Sequence, residues 1–240
     1  AVAATALAGC AAETDETPAE ASEDAFTATP SKHAIVLAHG FDASTTNRWS
    51  FYRVEETLRA DGHVVHSAQV SPYKSVPHRA RELAKHVDAA IAKCQARAGC
   101  DPSKVHIVAH SMGGLDARYL VGKLGYGDRV ASVTTISSPH HGSRIADVLL
   151  RIIPDDVERA TNALASVWAR TFTDRELADD SDLLGALESI SEEHTREVFN
   201  REVKDDPRVT YLSWAGVSNI AGIPNPKDRV ACEGRIETRW

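Results

Sequence analysis

The chain has 240 residues, of which 42% are hydrophobic and 25% are charged, and its formal net charge is −7. This length suits one α/β domain, or a core with an inserted cap, and the composition is that of a globular protein. The acidic balance argues against nucleic acid as a partner, and no apolar run approaches the length of a membrane span.

Residues 1–10 are apolar and rich in small side chains. Their last four residues, Leu7-Ala8-Gly9-Cys10, resemble the lipobox that ends the export signal of a bacterial lipoprotein. The resemblance implies that residues 1–10 are the remnant of such a signal and that Cys10 is lipidated and anchors the protein in a membrane. It also implies export, either to the bacterial cell envelope or to the medium. The alternative is a short alanine-rich helix with an incidental cysteine.

Residues 11–31 contain six acidic residues and no basic one, together with many Thr, Ala and Pro. Such a segment buries too little apolar surface to fold by itself. We therefore expect an acidic, disordered tether at 11–31, followed by one folded domain over 32–240.

The first predicted strand covers residues 33–38 and ends in His39-Gly40-Phe41-Asp42. A helix over 47–60 and a strand over 63–70 follow, and Pro77 begins a long helix. The apolar face of that helix consists of residues spaced three and four apart: Ala80, Leu83, Ala84, Val87, Ile91 and Cys94.

The chain contains three further cysteines, Cys94, Cys100 and Cys232. In an exported protein Cys94 and Cys100 are expected to close a short disulfide loop, which leaves Cys232 without an obvious partner. The alternative is that Cys94 is only a buried apolar residue of its helix.

A strand-turn-helix pattern surrounds Ser111. Residues 105–108 are mostly apolar and β-branched, Gly113 and Gly114 follow the serine, and residues 115–120 are predicted to be helical. This context is required of a nucleophile elbow, in which a cramped turn exposes the hydroxyl beside the backbone N–H of the next residue. The alternative is a serine in an ordinary loop between a strand and a helix.

The segment His110-Ser111-Met112-Gly113-Gly114 resembles the elbow of bacterial triacylglycerol lipases, which belong to the α/β-hydrolase superfamily. One departure is Ala109, which stands where the usual G-x-S-x-G motif has its first glycine. The resemblance implies an α/β-hydrolase fold, with a mostly parallel sheet, helices on both of its faces and a helical cap or lid insertion. It further implies that Ser111 is the nucleophile and that the backbone N–H groups of Phe41 and Met112 form the oxyanion hole.

A strand predicted over 129–136 leads into Ser137-Ser138-Pro139-His140-His141-Gly142-Ser143, which resembles the T-P-H-x-G-S segment of the same lipases. The resemblance implies that this segment is structural and that Pro139 and His140 line the site, together with His39 and His110. We do not assign the triad base to His140 or His141, because adjacent side chains point in different directions.

Residues 144–207 are predicted to be wholly helical, with three apolar stripes between charged faces. The insertion exceeds an ordinary crossover connection, so we expect a cap whose apolar stripes meet lipid when it opens. The alternative is a set of plain core helices. The stripes are Ile145, Val148, Leu149, Ile152 and Ile153; Val157, Ala160, Leu164, Val167 and Trp168; and Leu183, Leu184, Leu187 and Ile190.

The segment 209–216 resembles the Y-x-S-W-x-G strand of bacterial lipases. The family places its triad acid in an Asn-Asp-Gly loop and its histidine in a His-Leu-Asp segment beyond this strand, and neither motif occurs here. We therefore expect the domain to be incomplete at its C-terminus, with the triad acid and histidine beyond Trp240, and residues 1–240 to be inactive by themselves. The family also implies a possible structural calcium ion, for which Asp228 is too weak a candidate, and a possible folding helper.

The function implied by the resemblance is hydrolysis of acylglycerol esters at a lipid interface, through an acyl-enzyme on Ser111 and without a cofactor for the chemistry. A polyester depolymerase or a general carboxylesterase shares the same machinery. An alternative of another class is a hydrolase-like protein that binds lipid without turnover.

Overall fold

The computed structural model describes residues 29–46, 51–152, 158–170, 173–178, 180–215, 219–220 and 223–224. The predicted signal remnant with Cys10, the tether up to residue 28, Asp228 and Cys232 lie outside these ranges. The predictions made for them therefore stay predictions.

Five parallel strands form the central sheet. They are β1 (Ala34–Ala38), β2 (Val65–Ala68), β3 (Val105–His110), β4 (Val130–Ile136) and β5 (Thr210–Trp214), in the spatial order β2-β1-β3-β4-β5. Every residue of β1 is buried, as expected of a strand covered on both faces. A separate antiparallel pair joins β6 (Asn219–Ile220) to β7 (Ile223–Pro224).

Helices cover both faces of the sheet. Val36 of β1 packs in one apolar cluster with residues of α2 (Val76–Gln95) and α3 (Met112–Gly122). The neighbouring residues of β1 point the other way and pack against α1 (Val54–Ala60). The predicted α/β-hydrolase architecture, with a parallel sheet between helical layers, is confirmed.

Two predicted elements are shorter in the structure. Residues 47–50 of the helix expected over 47–60 lie outside the described ranges, and the helix of the structure begins at Val54, because Arg53 has a left-handed φ of 63°, which an α-helix cannot include. The strand expected over 63–70 is reduced to Val65–Ala68, which pairs along Ile35–Ala38 at one edge of the sheet.

The segment predicted to be helical is helical, in several short pieces. It consists of α4 (Arg144–Ile152), α5 (Glu158–Ala169), α6 (Arg175–Ala178), α7 (Leu183–Ser189), a π-helical turn (His194–Phe199) and α8 (Asn200–Glu202). That this segment acts as a cap stays a prediction.

The apolar stripes of these helices face different surroundings. Leu187 and Ile190, in and just after α7, are buried in the core. In α4 and α5, by contrast, Ile145 is 73% exposed, Val167 60% and Trp168 53%. The alternative of plain core helices therefore fits α7 but not the exposed side chains of α4 and α5.

A disulfide joins Cys94 at the end of α2 to Cys100, with 5.3 Å between their Cα atoms. Cys94 is also completely buried in the main apolar cluster. The predicted pairing is confirmed, and the burial expected under the alternative holds as well. In the ranges that the structure describes, no helix combines the length and apolar character needed to cross a bilayer.

Candidate active site

Ser111 occupies a sharp turn between β3 and α3, at the carboxyl end of the central strand. Its φ of 54° and ψ of −128° lie in a region that residues with a side chain rarely adopt. The Ser111 N–H donates to the Ile136 carbonyl at 2.9 Å, and the Ser111 carbonyl accepts from the Gly114 N–H at 3.0 Å. The conformation therefore has the strained geometry expected of a nucleophile elbow.

The two glycines after the elbow are needed because other chain segments approach them closely. A Cβ on Gly113 would lie 2.5 Å from the Ala38 carbonyl oxygen, at the end of β1. A Cβ on Gly114 would lie 2.1 Å from the Ser138 hydroxyl, in the loop after β4. The absence of side chains at these positions lets α3 begin directly against both neighbouring strand ends.

The loop after β1 lies beside the serine. A Cβ on Gly40 would lie 2.7 Å from Ser111 Cβ, so the loop backbone touches the elbow just before Phe41. Among the described residues, the N–H groups of Phe41 and Met112 have no hydrogen-bond acceptor. Met112 is the first residue of α3, where the helix dipole favours negative charge. The backbones of Phe41 and Met112 thus lie at the same end of the sheet, and their role as oxyanion donors stays a prediction.

A buried arginine, which we did not predict, fixes the loop after β1. The Arg79 guanidinium donates to the His39 carbonyl at 2.8 Å, to the Ser71 carbonyl at 2.7 Å and to Asp116 Oδ2 at 2.8 Å. It therefore links α2, the ends of β1 and β2, and the helix that carries the elbow. A signal was present in the sequence, because Arg79 interrupts the apolar face of α2 next to Ala80 and four residues before Leu83.

The carboxyl group that faces Arg79 is also fully enclosed. Burial raises the pKa of Asp116 to about 7, although the nearby Arg79 guanidinium acts in the opposite direction. Asp116 Oδ1 has no hydrogen-bond partner, while Oδ2 accepts from Arg79. Among the described residues, the Asp116 carboxyl therefore depends on Arg79 for its only hydrogen bond.

His39 is held inside the loop that follows β1. Its Nε2 accepts a hydrogen bond from the Val70 N–H at 3.2 Å, so its Nδ1 carries the proton and donates to the Gly40 carbonyl at 3.0 Å. Burial, followed by the charge of Arg79, lowers the pKa of His39 to about 3. The ring thus supports the Gly40 turn as a neutral group, and its predicted contact with substrate stays a prediction.

His140 belongs to a buried network behind the elbow. Thr135 Oγ1 donates to the Leu212 carbonyl at 3.3 Å, so it accepts from His140 Nε2 at 3.0 Å. His140 Nδ1 faces Arg118 Nη1 at 3.4 Å. Burial lowers the pKa of His140 to about 3, and the Arg118 charge acts in the same direction. The two ring nitrogens thus face Arg118 and Thr135, and the absence of a base role for His140 stays a prediction.

The remaining predicted site residues lie around the elbow. The His110 ring lies edge-on to Phe51 at 6.5 Å between ring centroids, and burial lowers its pKa. Pro139 is partly buried in the loop after β4 and accepts from the Gly142 N–H at 3.0 Å. Contact of either residue with substrate stays a prediction.

The structure does not assign the other two members of a triad. His141 is exposed, and its carbonyl accepts from Arg196 at 3.0 Å, while the His194 N–H donates to Ser191 Oγ at 3.2 Å. In the part of the chain that the structure describes, Ser111 Oγ makes no hydrogen bond to a histidine or a carboxylate. The predicted position of the acid and the histidine stays a prediction.

The described part of the chain contains no cluster of side chains that could bind the possible structural calcium ion. Within it, no three His, Cys, Asp or Glu side chains converge on one point. These residues therefore do not form by themselves the oxygen-rich ligand set that calcium requires.

Comparisons with known proteins agree with this geometry. A profile of the α/β hydrolase fold matches residues 33–211. A triacylglycerol lipase of Burkholderia plantarii is 29% identical over 207 residues, which cover 81% of this chain and 54% of that protein. One of Vibrio cholerae is 28% identical over 219 residues, covering 83% of this chain and 67% of that protein.

The crystal structure of Staphylococcus hyicus lipase superposes with a TM-score of 0.55 at 18% identity, over 75% of this chain and 65% of the lipase. At this identity the superposition shows a shared fold. The chain spans between about half and two thirds of the length of these relatives.

Proposed function

Because the chain belongs to the α/β-hydrolase family, we propose that it is a serine hydrolase that cleaves acylglycerol esters through an acyl-enzyme on Ser111. The observation that carries the proposal is the strained elbow of Ser111 at the end of the central strand, with Gly40 directly against it. The two relatives named above, which are triacylglycerol lipases, support the choice of substrate class.

The proposed reaction begins when Ser111 Oγ attacks the ester carbonyl carbon and gives its proton to a histidine base that is unassigned in this sequence. The carbonyl oxygen becomes an oxyanion, which the N–H groups of Phe41 and Met112 stabilise. The bond to the alcohol breaks, the leaving alcohol takes from the histidine the proton that Ser111 gave up, and the acyl group stays on Ser111. Water then hydrolyses the acyl-enzyme by the same steps. This chemistry requires no cofactor.

The exposed apolar side chains of the helical segment support acylglycerols over small soluble esters as the preferred substrate. Ile145 and Val148 of α4, and Val167 and Trp168 of α5, each expose more than half of their surface. Exposed apolar side chains on a helical insertion fit a cap that contacts a lipid surface. A soluble monomeric protein rarely exposes large apolar patches unless they bind something.

The decisive experiment is covalent labelling and turnover in the full-length protein from its natural gene. A fluorophosphonate should label Ser111, and Ser111→Ala should abolish both labelling and ester hydrolysis with the fold retained. Loss of a triad nucleophile normally lowers kcat on the order of a millionfold, so activity within tenfold of the parent overturns the assignment.

Other outcomes of the same experiment identify the alternatives. Lipid binding without labelling or turnover indicates a hydrolase-like binding protein. A preference for short soluble esters, or for polyester films, over triglyceride emulsions indicates a carboxylesterase or a depolymerase. The chain-length profile therefore tests the substrate class separately from the nucleophile.

We also propose that Cys10 carries lipid and anchors the protein to the envelope of a bacterial cell. The support is the sequence Leu7-Ala8-Gly9-Cys10 and the acidic segment after it. Several acyl chains would give stable anchoring, where one alone is marginal. Mass spectrometry of the protein from its native host should find Cys10 acylated, and an unmodified Cys10 contradicts the proposal.

A further inference from the structure

Asp42, the residue after Phe41, accepts two side-chain hydrogen bonds at one oxygen. The Tyr73 hydroxyl and the Trp168 indole both donate to Asp42 Oδ1, the indole at 2.9 Å. Tyr73 is buried in the loop between β2 and α2, whereas Trp168 belongs to α5. One carboxylate oxygen thus joins the loop after β1 to the core of the molecule and to the helical segment.

The same two elements hold the side chain of Phe41. Its ring lies edge-on against the Tyr73 ring, with 5.3 Å between centroids. It also packs against the apolar cluster that contains Tyr73 together with Ala165 and Ala169 of α5. The position of Phe41 therefore depends on its own ring contacts and on the hydrogen bonds of the next residue.

The backbone of Asp42 has a left-handed φ of 51°, a conformation that Asp tolerates better than most residues with a side chain. The contacts of its carboxylate help to select this conformation. Tyr73 is suited to hold it, because its backbone carbonyl is itself fixed by the Asp182 N–H at 2.7 Å. Burial, together with the hydrogen bond to Asp42, raises the pKa of Tyr73, so its hydroxyl remains a donor.

The contact between α5 and the loop after β1 includes small apolar side chains and the indole hydrogen bond of Trp168. Within the cluster described above, α5 contributes two alanines, and the residue Trp168 is more than half exposed although its indole N–H is bonded to Asp42. Further along the loop, the Thr45 N–H donates to Gln69 Oε1 at 3.0 Å, and Gln69 Nε2 donates to Thr173 just after α5. Both ends of the segment 42–45 are thus connected to the region of α5.

We propose that Asp42 is a positioning residue for the oxyanion hole. Its carboxylate, held by Tyr73 and Trp168, fixes the backbone N–H of Phe41 beside Ser111 and makes the position of that N–H depend on the place of α5. The inference rests on the proposed function, since Phe41 acts as an oxyanion donor only if Ser111 is the nucleophile of an ester hydrolase.

The test compares Asp42→Ala, Asp42→Asn, Tyr73→Phe and Trp168→Phe in the full-length protein, with a soluble activated short-chain ester. Asp42→Ala and Tyr73→Phe should lower kcat by roughly tenfold or more while KM changes little, because a misplaced donor is lost only in the transition state. Asp42→Asn should lose less, since its amide oxygen still accepts. Trp168→Phe should also lose less, because Tyr73 still holds the carboxylate.

A second measurement separates positioning from a general loss of structure. Binding of a trifluoromethyl ketone, which forms an oxyanion on the serine, should weaken by the same factor as kcat/KM in each variant. Rates are expressed per active site, titrated with a fluorophosphonate. The matched control is Tyr126→Phe, which removes a tyrosine–aspartate hydrogen bond to Asp88 at 3.3 Å near the amino ends of β3 and β4. It should leave kcat and ketone affinity unchanged.

The proposal is overturned if Asp42→Ala and Tyr73→Phe keep the parental kcat per titrated site and the parental ketone affinity, whatever their melting temperatures. If either variant fails to fold, Asp42→Asn and Trp168→Phe decide the question: a matched loss of kcat and ketone affinity supports the positioning role, and parental values of both quantities in both variants overturn it. A parent protein that is labelled and active beside unaffected variants contradicts only the positioning role. A parent that is neither labelled nor active overturns the proposed function, and the positioning role with it.

Discussion

Gly40 and Ser111 lie so close together that no side chain fits between them. A Cβ built on Gly40 would lie 2.7 Å from Ser111 Cβ, 3.1 Å from Ser111 Oγ and 3.0 Å from the His110 carbonyl oxygen. These atoms belong to the strained elbow, which is fixed by its own hydrogen bonds and cannot easily yield. The contact places the loop that carries Phe41 against the proposed nucleophile.

We therefore expect Gly40→Ala to abolish most of the esterase activity, by roughly a hundredfold or more, because the loop must move away from Ser111. Destabilisation by about 1–3 kcal/mol is expected from the same overlap. Activity per titrated site and thermal unfolding measure the two effects. Gly99→Ala is the control, because it introduces strain at a φ of 82° where nothing lies within 4 Å, and it should remain active. Parental turnover by Gly40→Ala contradicts the close contact.

Arg79→Met should destabilise the protein by about 3–5 kcal/mol, because it leaves the buried Asp116 carboxyl without its partner. The double variant Arg79→Met/Asp116→Leu should recover part of this loss, since no buried carboxyl remains. Urea unfolding of the parent, the single and the double variant at the same pH measures both quantities. The interpretation is wrong if the double variant is no more stable than Arg79→Met.

A chain of hydrogen bonds between β2 and α2 predicts acid sensitivity. His86 Nε2 donates to the Gln69 carbonyl at 2.7 Å, so its Nδ1 accepts from His66 Nε2 at 2.9 Å, and His66 Nδ1 in turn accepts from Lys93 Nζ at 2.7 Å. Protonation of either ring would place two donors against each other. Burial, then the charge of Lys93, lowers the pKa of His66 to about 4, and burial also lowers the pKa of His86.

Because the pKa of His66 is lower in the folded state, the unfolded chain binds the proton first as the pH falls. The neutral His66 ring makes its full contribution to the free energy of unfolding above pH 6.5. This contribution is lost as the pH falls from 6.5 to about 4. Other charges also face the two rings. Arg59, like Lys93, lowers the pKa of His66, whereas Glu55 raises it. Lys85 and Lys93 lower the pKa of His86, whereas Glu82 raises it. In His66→Gln the urea midpoint should fall less steeply across this range than in the parent. Parallel pH profiles of the two proteins count against the prediction.

Removal of the disulfide in Cys94→Ala/Cys100→Ala should lower the free energy of unfolding by about 2 kcal/mol, because it releases a short loop in the unfolded chain. Chemical denaturation measures the change, and the parent in the presence of a thiol reductant should approach the same value. Esterase activity should be retained, since the loop lies at the far end of α2, before β3 begins. An unchanged midpoint in both experiments shows that the bond adds nothing to stability.

The sequence by itself determined where the strands of the central sheet lie along the chain, and where the elbow lies. Apolar runs such as residues 34–38 and 105–109 specify buried strands, and Ser111 followed by Gly113 and Gly114 specifies a tight turn into a helix. The Cys94–Cys100 pairing was also predictable. These features are encoded within a few neighbouring residues, where the spacing of apolar side chains and glycines limits the backbone directly.

The tertiary structure alone decided which apolar stripes are buried, because the same helical spacing serves for a core face and for an exposed one. It placed Leu187 inside and left Val167 and Trp168 outside. It also decided the polar contacts that support the site: Arg79 reaches Asp116, 37 positions away, and Trp168 reaches Asp42, 126 positions away. Such contacts depend on how the strands and helices pack in space, and residues so far apart in sequence leave no local pattern from which their pairing can be read.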